Sequence, residues 1–285
     1  MKTTSPLLTI ALPVFNGGNT LQVAIQSILD QTFQDWELLV IDDGSSDGMV
    51  EKLDFSLDHR IRIISDGTNK GLSYRLNQAV NVARGIYFAR MDHDDISHPQ
   101  RFEKQITYLQ SREDIDLLGT YCITLNEHSQ ITGRLPLSKT HKNICKRPWL
   151  GFYIPHPTWC GKTEWFRQNK YKQNPAPYCC EDQELLLRTH THSKFEVLPL
   201  YLLAYRKTNR FNFRRVFKTR WANLKFKTKF FSKNRQYDKL LLVLVLFITI
   251  IPYDGLIKLF GRSRLANLNN QPSLIKWEFI IRNLV

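Results

Sequence analysis

Residues 7–48 read LLTIALPVFNGGNTLQVAIQSILDQTFQDWELLVIDDGSSDG, and two periodicities alternate along them. The apolar runs LLTIAL from Leu7 and WELLVI from Trp36 have the length of buried strands. Between them, Leu21, Ala24, Ile25, Ile28 and Leu29 mark one face of a helix within residues 19–31. The pattern recurs with IRII from Ile61, a helical face of Leu72, Leu76, Ala79, Val80 and Ala83, and IYFARM from Ile86. Strand then helix, repeated, predicts a parallel sheet covered on both faces, because each crossover lays its helix against the sheet.

Ligands of such sheets bind beyond the carboxyl ends of the strands, where polar loops leave an apolar scaffold. Here those loops are PVFNGG, DDGSSDG, NKG and DHDD, four in succession, and together they predict a site. Further along, residues 117–124 and 131–135 read as a strand pair, followed by IPHPTW and CCEDQELLLR. The last predicts a helix start: Glu181 and Asp182 meet the positive end of the dipole, and Arg188 sits late.

The run DHDD, residues 92–95, sets three carboxylates within four positions. Such groups repel unless a cation neutralises them, and hard oxygens suit Mg²⁺ or Mn²⁺, which also hold substrate phosphates. The same residues suit a solvated turn or a helix cap before Pro99. The loop DDGSSDG offers Asp43 as an acceptor for a base or ribose group, and Ser45 or Ser46 as caps of a following helix. His156 in IPHPTW either orients a substrate or packs beneath a Pro-bounded loop.

Taken together, ALPVFNGGNTLQVAIQSILDQTFQDWELLVIDDGSSDG, NKGLSYRLNQAVNVARGIYFARMDHDD, HPTW and EDQELLLR closely resemble the family 2 inverting glycosyltransferases of GT-A fold over residues 7–206. The resemblance implies an α/β fold: a Rossmann-like, mostly parallel sheet flanked by helices. It also implies roles. Pro13 and Phe15 would line the base pocket, Asp43 would contact the base, Asp92 would sit by the ribose, and Asp94 would bind Mn²⁺ or Mg²⁺ on the diphosphate. Asp182 would be the general base, with Glu181 beside it. Inversion needs one carboxylate opposite the leaving diphosphate to deprotonate the acceptor hydroxyl. His93 is expected to turn away from a cation that prefers oxygen. The Q-x-x-R-W element carried by family members that make long polymers is absent, which weakens a processive reading.

Hydrophobic residues make up 42% and charged residues 23%, values of a globular protein. The net charge is +14, and residues 206–239 hold thirteen Lys or Arg against the single acid Asp238, a net +12. A catalytic part over residues 1–205 is therefore expected, with nucleotide-sugar binding in 1–115 and the acceptor side in 116–205. A basic, aromatic and apolar extension would fill 206–285. In the extension Phe213, Phe217, Trp221, Leu224 and Phe231 mark one helical face among cations, with Phe226 and Phe230 off it. This suits an anionic membrane surface. Next, residues 240–251 form an apolar run whose helix of about 18 Å dips into a bilayer more easily than it crosses the ~30 Å core. Packing of the extension on the catalytic part is the competing expectation. The five cysteines form no CxxC pair, and the N-terminus makes a poor signal peptide. The expected place is cytoplasmic, peripheral on the inner face of the plasma membrane.

The expected partners are a nucleotide-sugar donor, a glycan or lipid-linked acceptor and that membrane surface. Two rival readings remain. A nucleic-acid binder would use the basic aromatic region but leaves the acidic loops unexplained, so no nucleic-acid partner is expected. A nucleotidyltransferase on a related scaffold would release pyrophosphate instead of a nucleoside diphosphate.

Overall fold

In the computed structural model, described for residues 5–54, 58–135, 137–173, 179–207, 212–260 and 272–285, β1 (Leu8–Val14) and β2 (Trp36–Asp42) are buried along their whole length. They pair in parallel from Leu8 against Trp36 to Val14 against Asp42. Alternation assigns the two faces. Leu8, Ile10, Leu12 and Val14 of β1 pack with Leu21, Ala24, Ile25 and Ile28 of α1 (Thr20–Leu29), whereas Ala11 faces Leu76, Ala79 and Val80 of α2 (Leu72–Val82). Each fully buried Leu or Ile contributes about 1.5–3 kcal/mol, so two such faces hold the sheet centre firmly.

The parallel block is completed by β3 (Ile61–Ile64) beside β2 and β4 (Tyr87–Arg90) beside β1. Beyond β4 the sheet turns mixed. β8 (Cys160–Lys162) runs antiparallel to both β4 and β6 (Leu117–Leu125), and β6 lies parallel to β9 (Phe195–Arg206). The expected strand pair is β6 with β7 (Ile131–Leu135), and β5 (Ile96–Ser97) closes the far edge on β9. The sheet order is therefore β3-β2-β1-β4-β8-β6-β9-β5: the α/β layout is the one expected, with parallel pairing in β3-β2-β1-β4 and β6-β9 and antiparallel pairing elsewhere. α3 (Arg101–Ser111) adds Phe102, Ile106 and Leu109 to the α1 face, while α4 (His141–Ile144) and α5 (Thr163–Gln168) add Ile144, Trp165 and Phe166 to the α2 face.

One expectation fails locally. Among the described residues no helix follows β2, so Ser45 and Ser46 cap nothing. The Ser45 amide donates to Asp42 (2.9 Å), the Asn16 amide donates to Ser45 Oγ (3.0 Å), and the Ser46 amide donates to Asn16 Oδ1 (2.8 Å). The serines thus tie the loops after β1 and β2 into one ledge. Met49, Val50 and Leu53 cover the core there without helical structure.

The extension contains α7 (Phe213–Lys233), α8 (Tyr237–Phe260) and α9 (Pro272–Leu284). It packs on the catalytic part more closely than its charge boundary suggests. Phe231 and Val243 are buried in the α2-side core, with Leu224, Phe226, Phe230 and Leu240 against it. Trp277 is buried beside Ile96 and Ala204, and its Nε1 donates to the Tyr201 carbonyl (3.0 Å). The face predicted for α7 is accordingly split. Phe226 and Phe230, placed off it, join Phe231 inward. Phe213, Phe217 and Trp221 instead form an outward ladder with ring centroids 6.4 and 6.5 Å apart. Among the described residues no helix is long and apolar enough to cross a membrane.

Candidate active site

The carboxyl end of β4 delivers Arg90, Met91 and then the acidic run. Arg90 is fully buried and pairs with Asp92. Carboxylate oxygens of Asp92, Asp94 and Asp95 lie within 4.8 Å of one another. Burial, with the Asp92 charge added, pushes the Asp94 carboxyl above its usual range. The same causes, with Asp94 as well, push Asp95 far higher. Asp95 Oδ1 accepts from the Arg206 amide (2.9 Å), while its buried Oδ2 has no partner among the described residues. Crowded, partly dehydrated carboxylates with an orphaned oxygen fit a hard divalent cation, which would relieve their repulsion. His93 is not part of the cluster: its buried Nδ1 faces Gly17 in the loop after β1.

Arg206 was not singled out by the sequence. At the end of β9, its Nε donates to the Asp94 carbonyl (2.9 Å), and its Nη atoms donate to the Asn126 carbonyl (2.9 Å) and Ser129 Oγ (3.1 Å). It stitches the acidic run to the β6–β7 hairpin.

Asp43 occupies the next strand end. It accepts from the Lys70 amide (2.7 Å), the Gly71 amide (3.0 Å) and Arg75 Nε (2.9 Å). Gly44, at φ 76°, lets this loop meet residues 68–69; a Cβ there would stand 2.8 Å from the Thr68 carbonyl carbon. Asp43 therefore fixes the segment that begins the wall of a cavity.

That cavity, about 770 Å³, runs from residues 70–74 past Arg90 and Asp92 to residues 152–157 and the head of α6 (Glu181–Thr189). Asp92, Glu181, Asp182 and His156 line it. Pro13 is buried and Phe15 is half exposed at the end of β1; neither borders the cavity, nor do Asp43 and Asp94. Asp43 instead holds two of its lining residues, and Asp94 stands in the cluster with Asp92.

At the α6 head, burial and then the neighbouring Asp182 push Glu181 up to about 7. Burial raises Asp182 too, opposed by the Gln183 amide, whose Nε2 donates to Asp182 Oδ2 (3.1 Å). His156 packs beneath its Pro-bounded loop and also lines the cavity. Its Nε2 lies 2.8 Å from the Tyr171 hydroxyl and its ring packs on Trp159, while Nδ1 stands 3.8 Å from Glu181. Burial and then the Arg90 charge push its pKa well down, so the imidazole is neutral. The sequence reading also passed over Arg90 and Arg215 of this cavity, and Tyr171 behind His156. Arg90 stood next to the acidic run, but Arg215 comes from α7, with no local mark of its destination.

A mixed α/β sheet flanked by helices, with an acidic strand end and a second carboxylate pair bordering one cavity, is the layout of a GT-A fold. Residues 9–173 match the sequence profile of glycosyl transferase family 2, and the chain belongs to that family of glycosyltransferases. An uncharacterized glycosyltransferase of Methanocaldococcus jannaschii is 29% identical over 87% of this chain and 90% of its own length. A UDP-Glc:α-D-GlcNAc-diphosphoundecaprenol β-1,3-glucosyltransferase of Escherichia coli is 34% identical over 51% of this chain and 57% of its own. The bifunctional glycosyltransferase pgtA of Dictyostelium discoideum is 42% identical over 40% of this chain, but the match spans only 17% of that protein. Among solved structures, Staphylococcus aureus TarS 1–349 in complex with UDP-GlcNAc aligns with a TM-score of 0.64 at 16% identity, covering 98% of this chain and 81% of that one. A mannosyltransferase of Pyrobaculum calidifontis in complex with GDP-Man and Mn²⁺ aligns at 0.55 and 13% identity, over 99% and 86%. These two likenesses concern the fold.

Proposed function

We propose that the chain transfers a sugar, with inversion, from a UDP-sugar to a hydroxyl of a glycan or lipid-linked acceptor in surface-polysaccharide assembly. The observation that carries this reading is the single cavity that joins Asp92 to the Glu181–Asp182 pair. Just outside the cavity wall, at the ends of β1 and β2, Pro13, Phe15 and Asp43 serve the base, Asp43 also holding residues 70 and 71 of the wall. Within the cavity Asp92 serves the ribose, while Asp94 with its neighbours would hold Mn²⁺ or Mg²⁺. A bound cation of that kind neutralises charge developing on the departing diphosphate. On the other side Asp182 takes the acceptor's proton as its oxygen attacks the anomeric carbon. Glu181 shares the pair's proton, and neutral His156 packs behind it. The names of the E. coli relative and of the TarS complex, with a UDP-linked donor in each, support the choice of UDP, and the former supports a lipid-linked acceptor.

The reading includes peripheral attachment to an anionic membrane on its cytoplasmic side. α8 exposes Leu241, Leu244, Val245 and Ile248, and Trp221 of the ladder lies 5.7 Å from Phe247. α7, which packs against α8, brings basic residues to the same region, with Lys225 Nζ 5.7 Å from the Trp221 ring. Such a combination suits the headgroup boundary.

Asp182→Asn tests the base. Loss of a general base lowers kcat by about 10²–10⁴-fold while donor KM stays near the parent value. A variant that keeps its turnover would remove Asp182 from the chemistry.

A further inference from the structure

Gln183 follows the carboxylate pair on α6, and all of its polar atoms are engaged. Its Oε1 accepts from the Phe152 amide (2.9 Å). Its Nε2 donates to the Phe152 carbonyl (2.9 Å) and to Asp182 Oδ2 (3.1 Å). A side-chain amide bonded to both backbone groups of one residue has little freedom left, so the third bond aims one carboxylate oxygen of Asp182. Gly151 permits this approach. Its φ is 126°, and a Cβ there would lie 2.8 Å from Gln183 Oε1.

The segment that clamps Gln183 is itself held from the extension. Lys227 of α7 is buried, and its Nζ donates to the carbonyls of Trp149 (3.0 Å) and Leu150 (3.2 Å). Burial pushes this lysine down to about 8. A cation withdrawn from water onto two carbonyls costs stability that a solvated lysine on the same helix would not. One turn on, Phe230 lies 5.9 Å from the His190 ring, which lies 5.5 Å from Phe152. Thus α7 grips residues 149–152 by hydrogen bonds at one end and through a ring contact at the other.

We infer that Gln183 is a positioning residue for the Asp182 carboxylate, and that Lys227 sets Gln183 from α7 through residues 149–152. The inference rests on the reading of Asp182 as base. It makes the basic extension part of the catalytic apparatus, since the helix expected to meet the membrane also fixes the geometry of proton removal. An amide N–H donated to a carboxylate favours its charged form, so the bond keeps the base available at lower pH. The charged and titratable groups facing Asp182 include Glu181 and Cys180 beside it, Arg90 and Asp92 from the end of β4, Tyr171, and Arg215 of α7 across the cavity, and the Gln183 and Lys227 changes leave each of these residues in place.

The test uses Gln183→Met, Lys227→Met, their double variant and Asp182→Asn in the full chain, with Val243→Ala as a comparison. That last variant loosens the same docked helices beside Trp149, Leu150 and Lys227 but removes none of the hydrogen bonds of the relay. Gln183→Met is expected to lower kcat about tenfold, the equivalent of one lost hydrogen bond to a charged group, with donor KM unchanged. Its acid limb of kcat against pH should move upward. Lys227→Met should do the same to a smaller extent, and the double variant should be no worse than Gln183→Met, because both act on one chain of contacts. Val243→Ala should lower the Tm while leaving kcat and the limb in place. The inference is overturned if Asp182→Asn abolishes turnover but Gln183→Met and Lys227→Met leave kcat and the limb unmoved. It is equally overturned if Val243→Ala matches Lys227→Met in kcat, or if the two Met variants multiply independently. Should Asp182→Asn itself retain turnover, the base assignment falls first.

Discussion

Two acidic groups meet at one cavity, the first through Asp92 alone, and are held differently. Asp92, Asp94 and Asp95 crowd within 4.8 Å, with Arg90 and Arg206 beside them and one buried oxygen that has no partner among the described residues. Glu181 and Asp182 stand at a helix head among an amide, a neutral histidine and a tyrosine, with no direct cationic partner among the contacts described. Both environments raise carboxyl pKa values, but on the proposed reading a cation would relieve the crowding of the first, whereas the second holds Glu181 at about 7, where a proton is exchanged near neutral pH. Difference in environment, more than residue type, divides the labour.

The sharpest way to break this contrast is to remove Arg90. Taking one partner from a buried pair leaves the other charge uncompensated, so Arg90→Met should cost about 3–5 kcal/mol, read as a fall in denaturant midpoint. A midpoint close to the parent would mean that Asp92 finds its compensation elsewhere.

A smaller effect concerns pH. Since Glu181 is raised to about 7 and its partner is raised too, the pair retains a proton below neutrality. The base is then unavailable, so kcat should fall as pH drops through about 7. Glu181→Gln removes the neighbouring negative charge, and the limb should move down by about one pH unit. A limb that stays in place would show that the pair does not titrate as one unit.

The smallest effect lies farthest from the chemistry. Flotation with anionic vesicles should be strong at low salt, each basic residue of α7 near the surface contributing on the order of 1 kcal/mol, and weaker at high salt. Trp221→Ser should reduce the salt-resistant remainder. Equal flotation with neutral and anionic vesicles would shift the contact from the basic helix to the apolar strip of α8.

Much of the fold was legible because its signals are local. β1 and β2 are buried on both faces and read as continuous apolar runs, while α1 and α2 show one apolar stripe each. The missing helix after β2 was not legible, because Met49, Val50 and Leu53 cover the core equally well from an irregular segment. The acidic run and the α6 head were visible as clusters of charge. The partners of Asp43, by contrast, are backbone amides 27 and 28 residues away, which no residue pattern announces. Lys227 was hidden for a similar reason. Among so many cations it read as solvent-facing, and only the carbonyls of residues 149 and 150, 78 and 77 positions earlier, draw it inward.

The division of labour across the cavity is tested most directly by calorimetric UDP binding to Asp94→Asn and Asp182→Asn, each with and without Mn²⁺. Asp94→Asn should lose the Mn²⁺-dependent gain in affinity, because one charged ligand becomes neutral. Asp182→Asn should keep that gain in full, since its carboxylate acts on the acceptor. If Asp94→Asn keeps the gain, or if Asp182→Asn loses it, the two carboxylate groups do not hold the separate roles assigned to them.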